Sequence, residues 1–338
     1  MRIGKVKENI LKRSILKPIG RLNKGAADYT DCACVMVGEN KDKTYVLSST
    51  QTMALDFAHN GKYAAIKAVN NIYASGGDVK SILVSMTLPE STVEADIKFI
   101  MNEIKEIADE IGAGIDNGHT QVSKYVTAPI ITITAIGQIC PFAKEFLKIS
   151  KGKTKILDFA KPGDAIIMTK WIGLEGTSIL AFSKEKEILN KYPRFIVDAG
   201  KSFADTKYLL IKDDARIAYK ANASIVKDVS EGGILGALWE FSQMTHLGLK
   251  VDLKSIPIRQ ESIEITDMLG VNPYQMMSQG SLLLATSNPL DMIDAFEKEL
   301  IPAVVIGYLT DDNDKIIING DEIRYLDMPL EDSIHSVL

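Results

Sequence analysis

The 338-residue sequence has few cysteines and no long apolar segment. Its three cysteines, Cys32, Cys34 and Cys140, are sparse and odd in number, which excludes a disulfide framework and predicts free thiols in a reducing cytoplasm. No apolar run reaches the length of about 18 residues that a membrane-spanning helix needs, so the sequence predicts no membrane partner. The first residues mix Lys and Arg with Ile and Leu, unlike a secretory signal.

An excess of positive charge is also missing. The chain has 39 Lys and Arg against 44 Asp and Glu, so its formal net charge is −5, which argues against a nucleic-acid partner. Hydrophobic residues make up 46% and charged residues 25% of the chain, values that exclude a disordered, collagenous or coiled-coil protein. At this length the chain is expected to form about two domains.

Apolar periodicity predicts alternating strands and helices in both halves of the chain. Strands are predicted over 32–37, 45–49, 82–88, 129–138, 165–169, 224–229, 282–286 and 303–309. Helices are predicted over 60–76, 94–112, 177–186, 233–245 and 289–300. The basic segment 142–161 is expected to be helical or irregular, and we place the domain boundary there, giving domains 1–150 and 151–338. Two halves of this kind indicate a paired α/β architecture.

Polar residues and glycines gather at the ends of these predicted elements. The six segments are 30–33, 48–52, 69–77, 117–120, 173–177 and 227–233. The fourth segment, Asn117-Gly118-His119-Thr120, is predicted to be a loop before a strand. His119 is either a phosphate or metal contact or a loop histidine satisfied by the backbone, and the sequence leaves both interpretations open.

The last two segments have the composition of an anion-binding turn. Glycines between a strand and a helix let backbone N–H groups approach an anion, which the helix dipole also favours. Gly176, Gly232 and Gly233 are therefore candidate phosphate donors, and Asp228 just before the turn is a candidate Mg²⁺ ligand. An ordinary tight turn with Ser230 near the helix start is the alternative interpretation.

Taken in order, the segments resemble the superfamily of aminoimidazole ribonucleotide (AIR) synthetase, HypE, selenophosphate synthetase and thiamine-monophosphate kinase. The resemblance runs from about Gly4 to about Pro329 and is greatest to HypE-like proteins described as AIR synthase related. The segments that carry it are 227–233 with 237–240, 163–177, 117–120, and 272–273 with 278–283.

The resemblance implies an α/β (α+β) fold with two AIR-synthetase-like domains and a homodimer formed by sheet pairing of the N-terminal domains. It implies ATP and Mg²⁺ as cofactors, with Asp31 and Asp228 as metal ligands. The residues that would contact the nucleotide are Gln51, Asn71, Gly118, His119, Thr120, Gly176, Ser230, Gly232 and Gly233. The implied activity is ATP-dependent phosphoryl transfer to an unidentified small-molecule or carrier-bound substrate, with His119 and Asp228 as catalytic candidates.

The sequence keeps two of the five acidic positions of the family pattern, Asp31 and Asp228. At the other three, Gln51 and Asn71 supply amides, and His119 lies where several members have Asp, although selenophosphate synthetases also have His there. The sequence also has no cysteine after Cys140, so the self-modification of a C-terminal cysteine in HypE is not expected. Two hypotheses follow. Either fewer metal ions are bound and ATP is still used, or the chain is a non-catalytic nucleotide-binding dimer or hydrogenase-maturation-like scaffold with a degenerate metal site.

Overall fold

The computed structural model describes residues 6, 8–19, 31–38, 44–150, 153–156, 160–328 and 331–338. Thr30, part of the first polar segment, lies outside these residues. The first described segment contains two short helices, α1 (Glu8–Leu11) and α2 (Lys17–Ile19), separated by a π-helical turn. Within the described ranges, no helix combines the length and apolar character needed to cross a membrane.

The N-terminal half is built on a five-stranded sheet. In chain order its strands are β1 (Ala33–Val37), β2 (Thr44–Met53), β3 (Gly77–Leu88), β4 (Gly114–Val122) and β5 (Ile130–Ile139), and their order across the sheet is β1-β2-β5-β3-β4. All pairs are antiparallel except β3 with β4. Alternate residues of β5, such as Ile131 and Ile133, are buried, so one face of the sheet covers the core.

Two helices pack on that face. Helix α3 (Asn60–Ala74) is buried along almost its whole length, whereas α4 (Glu94–Ile111) is amphipathic and ends at Gly112 in a left-handed conformation. A helix that is buried on all sides must contact something on its second face. In α3 that second contact is the C-terminal half of the chain.

The C-terminal half is built on a seven-stranded sheet flanked by helices. A short hairpin, β6 (Leu147–Ser150) with β7 (Lys153–Ile156), precedes it. The strands of the seven-stranded sheet are β8 (Ala165–Thr169), β9 (Ile225–Asp228), β10 (Gly248–Asp252), β11 (Leu282–Thr286), β12 (Ala303–Thr310), β13 (Lys315–Asn319) and β14 (Glu322–Tyr325). Their order across the sheet is β14-β13-β10-β12-β8-β11-β9. Its helices are α5 (Leu174–Ser183), α6 (Glu185–Leu189), α7 (Arg194–Ser202), α8 (Thr206–Leu209), α9 (Lys212–Lys220), α10 (Gly233–Thr245), α11 (Gln260–Leu269) and α12 (Pro289–Lys298).

This architecture confirms the predicted mixed α/β fold, but one local prediction is wrong and another is incomplete. The segment 117–120 is not a loop but the middle of β4, because pairing with β3 outweighs the weak strand preference of Asn and Gly. Gly118 is required there, since a Cβ atom would lie 2.1 Å from the Val84 carbonyl oxygen. The segment 142–161, expected to be helical or irregular, begins in a 3-10 helix (Pro141–Phe146) and continues into the β6–β7 hairpin, which was not predicted. The proposed domain boundary at 150/151 falls inside that hairpin and stays a prediction.

Asn70 joins the two halves through a fully buried amide. Its Nδ2 donates to the Leu209 carbonyl oxygen at 2.7 Å and to Gln279 Oε1 at 2.6 Å, and its Oδ1 accepts from the Ile211 N–H at 3.2 Å. A second contact of α3 with the C-terminal half is the bond between the Tyr63 hydroxyl and Ser178 Oγ at 2.6 Å. Buried hydrogen bonds therefore fix α3 against the C-terminal elements.

Substituting Asn70→Ala is expected to lower the free energy of unfolding by about 2–4 kcal/mol, because three buried groups would lose their partner. Urea denaturation followed by circular dichroism measures this change. Asn117→Ala is the matched control, since the exposed Asn117 amide has, among the described residues, a hydrogen bond only from the Gly118 N–H, and we expect a change of about 0.5 kcal/mol or less. Equal effects of the two substitutions would contradict the role given to Asn70.

Candidate functional site

A cluster of buried polar residues lies where α3 meets the end of β9, the start of α5 and the loop before β11. We call it the junction site; it comprises Asp31, Asn70, Glu175, Lys227, Asp228 and Gln279. Lys227 and Asp228 are the last two residues of β9, and the chain then turns through Gly232, in a left-handed conformation, into α10. Residues far apart in sequence thus converge on one buried point.

Asp31 and Asp228 both lie within 4 Å of the ammonium group of one lysine. The Lys227 Nζ is 2.6 Å from Asp31 Oδ1, 3.0 Å from Glu240 Oε2 and 3.9 Å from Asp228 Oδ1. The Lys227 side chain is 4% exposed and that of Asp228 1%. One ammonium group therefore contacts three carboxylates in a region largely shielded from water.

Burial and neighbouring charges perturb these groups strongly. Burial raises the pKa of Asp31 to about 7 from its ordinary 3.8; the Lys227 ammonium opposes the rise and the Asp228 carboxylate adds to it. Burial would lower the pKa of Lys227, but the surrounding carboxylates, Asp31 first, hold that pKa well above its ordinary value. Lys227 is therefore a permanent cation in this cluster.

Gln279 connects the remaining members of the junction site. Its Nε2 donates to Asp228 Oδ2 at 3.1 Å, its Oε1 accepts from Asn70, and its backbone N–H donates to Glu175 Oε2 at 3.0 Å. The other oxygen of Asp228, Oδ1, is buried without a hydrogen-bond partner. That oxygen is an anionic acceptor available to a further group.

Glu175 is a second buried acid with an unsatisfied oxygen. Its Oε1 has no hydrogen-bond partner, and the residue is fully buried in the first turn of α5. Burial raises its pKa to about 7 from 4.5, while the nearby Lys67 ammonium and the Gln279 N–H lower it. Lys67, itself buried on α3, also lies 3.7 Å from Glu231.

The three glycine N–H groups predicted to bind phosphate have partners within the chain. Gly232 N donates to Asp332 Oδ2 at 2.8 Å, Gly233 N to the Ser230 carbonyl at 3.0 Å, and Gly176 N to the Met277 carbonyl at 3.1 Å. Their role as phosphate donors stays a prediction.

A cavity of about 300 Å³ opens beside Gly232 and is also lined by Tyr274, Arg324 and Glu331. Among the described residues, its lining includes neither Asp31 nor Asp228. The cavity thus adjoins the glycine turn and not the acid pair.

Two residues that were predicted to contact the nucleotide, Gln51 on β2 and Asn71 on α3, lie at the core face of the N-terminal sheet. Asn71 Nδ2 donates to Ser49 Oγ at 2.8 Å, and both residues are buried. Gln51 is half-buried and lies two residues after Ser49 on the same face of β2. Because Asn71 follows Asn70 on α3, the helix directs one amide to the sheet and the other to the C-terminal half.

Gly118, His119 and Thr120 are not brought to the junction site within one chain. They lie exposed on β4, at the opposite edge of the sheet from β1, with β2, β5 and β3 between. His119 pairs in register with the exposed Ser85, so it does not share the core face with Gln51. A role beside Asp31 would require a second chain.

Sequence reasoning did not assign four residues that organise the junction site: Lys67, Asn70, Lys227 and Gln279. Two of them have a recognisable signal, because Lys67 follows a run of apolar residues in the middle of a helix and Lys227 lies in a short buried strand. Charged residues at such positions are rarely buried unless they are paired. Nothing in the local sequence distinguishes Asn70 from Asn71.

The residues present do not fit a divalent ion bridging Asp31 and Asp228. The Lys227 ammonium contacts both carboxylates, and the described part of the chain contains no group of three or more His, Cys, Asp or Glu side chains arranged to hold a metal.

Two family models match the chain. AIR synthase related protein, N-terminal domain, matches residues 29–139, and AIR synthase related protein, C-terminal domain, matches residues 161–319. A Methanocaldococcus jannaschii protein named for hydrogenase expression and formation is 26% identical over 99% of this chain and 97% of its own length. A carbamoyl dehydratase HypE of Rhodobacter capsulatus is 24% identical, but the match covers 66% of this chain and only 61% of that protein.

Solved structures share the fold across nearly the whole chain. A HypE–HypF complex matches with a TM-score of 0.71 at 18% identity, covering 94% of this chain and all of that one. HypE in complex with ATP matches with a TM-score of 0.64 at 18% identity, covering 98% and 97% of the two chains. At such identities the likeness shows the fold alone, and the two family models confirm the resemblance that the sequence motifs indicated.

Substituting Glu175→Gln should change how stability depends on pH. A carboxyl group whose folded-state pKa is raised favours the folded state when protonated, and that contribution is lost as pH rises from about 4.5 to about 7. The amide keeps an acceptor for Gln279 N and cannot ionise. We expect the variant to gain about 3 kcal/mol relative to the wild type between pH 4.5 and pH 8.

Denaturant unfolding of both proteins across this pH range measures the difference. The exposed Glu90→Gln provides a control for removing a charge without burial. A difference between Glu175→Gln and the wild type that does not change with pH would contradict the assignment.

Proposed function

Because the chain belongs to the AIR synthase related protein family, we propose that it is an ATP-dependent phosphoryl-transfer enzyme. Its acceptor is an unidentified small molecule or carrier-bound group. The triphosphate binds at the junction site, between α3 and the turn that follows β9. A relative in this fold family has been solved with ATP, which supports ATP as the nucleotide.

One observation carries this proposal: a buried carboxylate oxygen, Asp228 Oδ1, lacks a hydrogen-bond partner where the two halves of the chain meet. Leaving such an atom unsatisfied is costly unless a ligand or ion completes its environment. In this proposal Asp228 Oδ1 faces the cation that arrives with the substrate Mg·ATP. Gln51, Asn71 and Ser230 are the proposed contacts around the triphosphate.

We further propose that the chain forms a homodimer through the N-terminal sheet. In the described structure β4 is an edge strand that pairs only with β3, and its residues are exposed. An exposed edge offers unpaired backbone groups to another strand. Pairing there would place Gly118, His119 and Thr120 at the dimer interface, where His119 is the second catalytic candidate.

A non-catalytic nucleotide-binding dimer is the second candidate function. Amides at Gln51 and Asn71, in place of family acids, favour it, and so does the internal pairing of the N–H groups of Gly176, Gly232 and Gly233. Since relatives are named for hydrogenase expression and formation and HypE has been solved with HypF, the partner of such a dimer would be a maturation protein.

Purified protein mixed with Mg·ATP separates the two functions. Calorimetry is expected to detect binding, and ADP should accumulate when candidate acceptors are supplied. Tight binding with no ADP release across acceptors over hours would favour the non-catalytic dimer. Absence of both binding and turnover would contradict both functions.

Substituting Asp228→Asn is expected to weaken Mg·ATP binding about tenfold, equivalent to about 1.4 kcal/mol, because the neutral amide attracts the substrate's cation less. Calorimetric titration of both proteins measures the change. Asp164→Asn is the matched control, since Asp164 is also buried but accepts hydrogen bonds from Lys161 N and Ser224 Oγ near the opposite end of β9. Unchanged affinity of Asp228→Asn would contradict the role of this carboxylate.

A further inference from the structure

We propose that the Lys227 ammonium is a built-in cation that takes the place of a divalent metal ion between Asp31 and Asp228. The chain then holds no resident metal at this point, and the one divalent ion used there is the ion that enters with the nucleotide. The inference concerns the same site as the proposed function. It rests on that function in one respect, namely that the phosphates of a nucleotide approach the Lys227 ammonium.

The ammonium occupies the position that a bridging metal would need. It lies within 3.0 Å of carboxylate oxygens of Asp31 and Glu240 and 3.9 Å from Asp228 Oδ1. The group is covalently attached to β9 and is 4% exposed, so it has no route to exchange with a solvent cation. A divalent ion bound to the same oxygens would lie beside a fixed positive charge in a poorly solvated region, where repulsion is weakly screened.

The remaining donors are too few for a resident metal. Mg²⁺ requires near-octahedral oxygen ligation at about 2.1 Å. Asp31 Oδ1 is held by Lys227 and Asp228 Oδ2 by Gln279, whereas Asp228 Oδ1 has no hydrogen-bond partner in the described structure and lies 3.9 Å from Lys227 Nζ. At most two oxygens of the pair, Asp31 Oδ2 and Asp228 Oδ1, are therefore left for a cation, which suits a metal that is already ligated by phosphates and not a free ion.

Removing the ammonium should convert the cluster into a metal site. Lys227→Met keeps an unbranched apolar stem and leaves the carboxylates of Asp31, Asp228 and Glu240 facing one another. Three oxygen donors are then available to a hard cation at the position of the former ammonium, and binding of the cation relieves their mutual repulsion.

Mn²⁺ is the probe, because it prefers oxygen ligands and its free form gives a quantifiable electron paramagnetic resonance signal. The full-length protein is titrated without nucleotide. The wild type is expected to leave the Mn²⁺ signal unchanged, and Lys227→Met to bind Mn²⁺ with an affinity at least tenfold higher. Adding Asp31→Asn to Lys227→Met should abolish that gain.

Lys170→Met is the matched control. Lys170 is another buried lysine, but its ion-pair partner is the single carboxylate of Asp214 at 2.9 Å, so its removal should create no Mn²⁺ site. Circular dichroism establishes that each variant is folded. If Lys227→Met does not fold, the wild type and Asp31→Asn decide the matter: equal absence of Mn²⁺ binding supports the proposal.

Two results overturn the inference. One is Mn²⁺ binding by the nucleotide-free wild type that Asp31→Asn removes. The other is a folded Lys227→Met protein that gains no Mn²⁺ site, since the lysine would then not be what excludes the metal. The Mg·ATP calorimetry of the wild type is independent of both results, so loss of the proposed function and loss of this inference are distinguishable.

Discussion

The side chain and backbone of Gln279 hold three separate elements of the chain in one place. Its amide oxygen accepts from Asn70 on α3, its amide nitrogen donates to Asp228 at the end of β9, and its backbone N–H donates to Glu175 on α5. All of these groups are buried, so each bond is made in a medium where an unmade one is costly. Three of the other members of the junction site, Asn70, Glu175 and Asp228, are therefore held in place by one residue.

The charge of this region is unbalanced. Six acidic residues surround two lysines; the acids are Asp31, Glu175, Asp228, Glu231, Glu240 and Asp332, and the lysines are Lys67 and Lys227. Two of the acids have a pKa raised to about 7, so the protonation of the site is adjustable near neutrality. A partly protonated acidic cluster with fixed internal cations carries a different net charge from a cluster built around resident metals. Its electrostatic attraction for a polyphosphate therefore also differs.

Much of the fold was predictable from the sequence because its central strands and helices carry strong local patterns. Strands β8 and β11 were predicted with the bounds they have, since each is a nearly continuous apolar segment between turn residues. Helix α10 was too, because the glycines before it mark its start. Strand β4 was not, because its Asp, Asn and Gly residues become extended only by pairing with β3. Local pattern cannot report a pairing of that kind.

The residues of the candidate site were likewise predictable from the sequence only in part. Asp228 was singled out by its position before the glycine turn and Asp31 by the family resemblance, and both lie within 4 Å of the Lys227 ammonium. That lysine was not singled out, because its contact with Asp31 spans 196 residues and depends on how the two halves dock. Neighbouring amides at 70 and 71 look alike in sequence, yet one bonds the sheet and the other the opposite half.

The bonds of Asn70 also set an order of events during synthesis. Its partners Leu209 and Gln279 lie 139 and 209 residues further along the chain. A chain growing from its N-terminus therefore carries α3 with an exposed apolar face and an unsatisfied amide until most of the second half has left the ribosome. During that interval the nascent first half exposes the apolar face of α3. A chaperone or a second nascent chain would therefore act at this stage of synthesis.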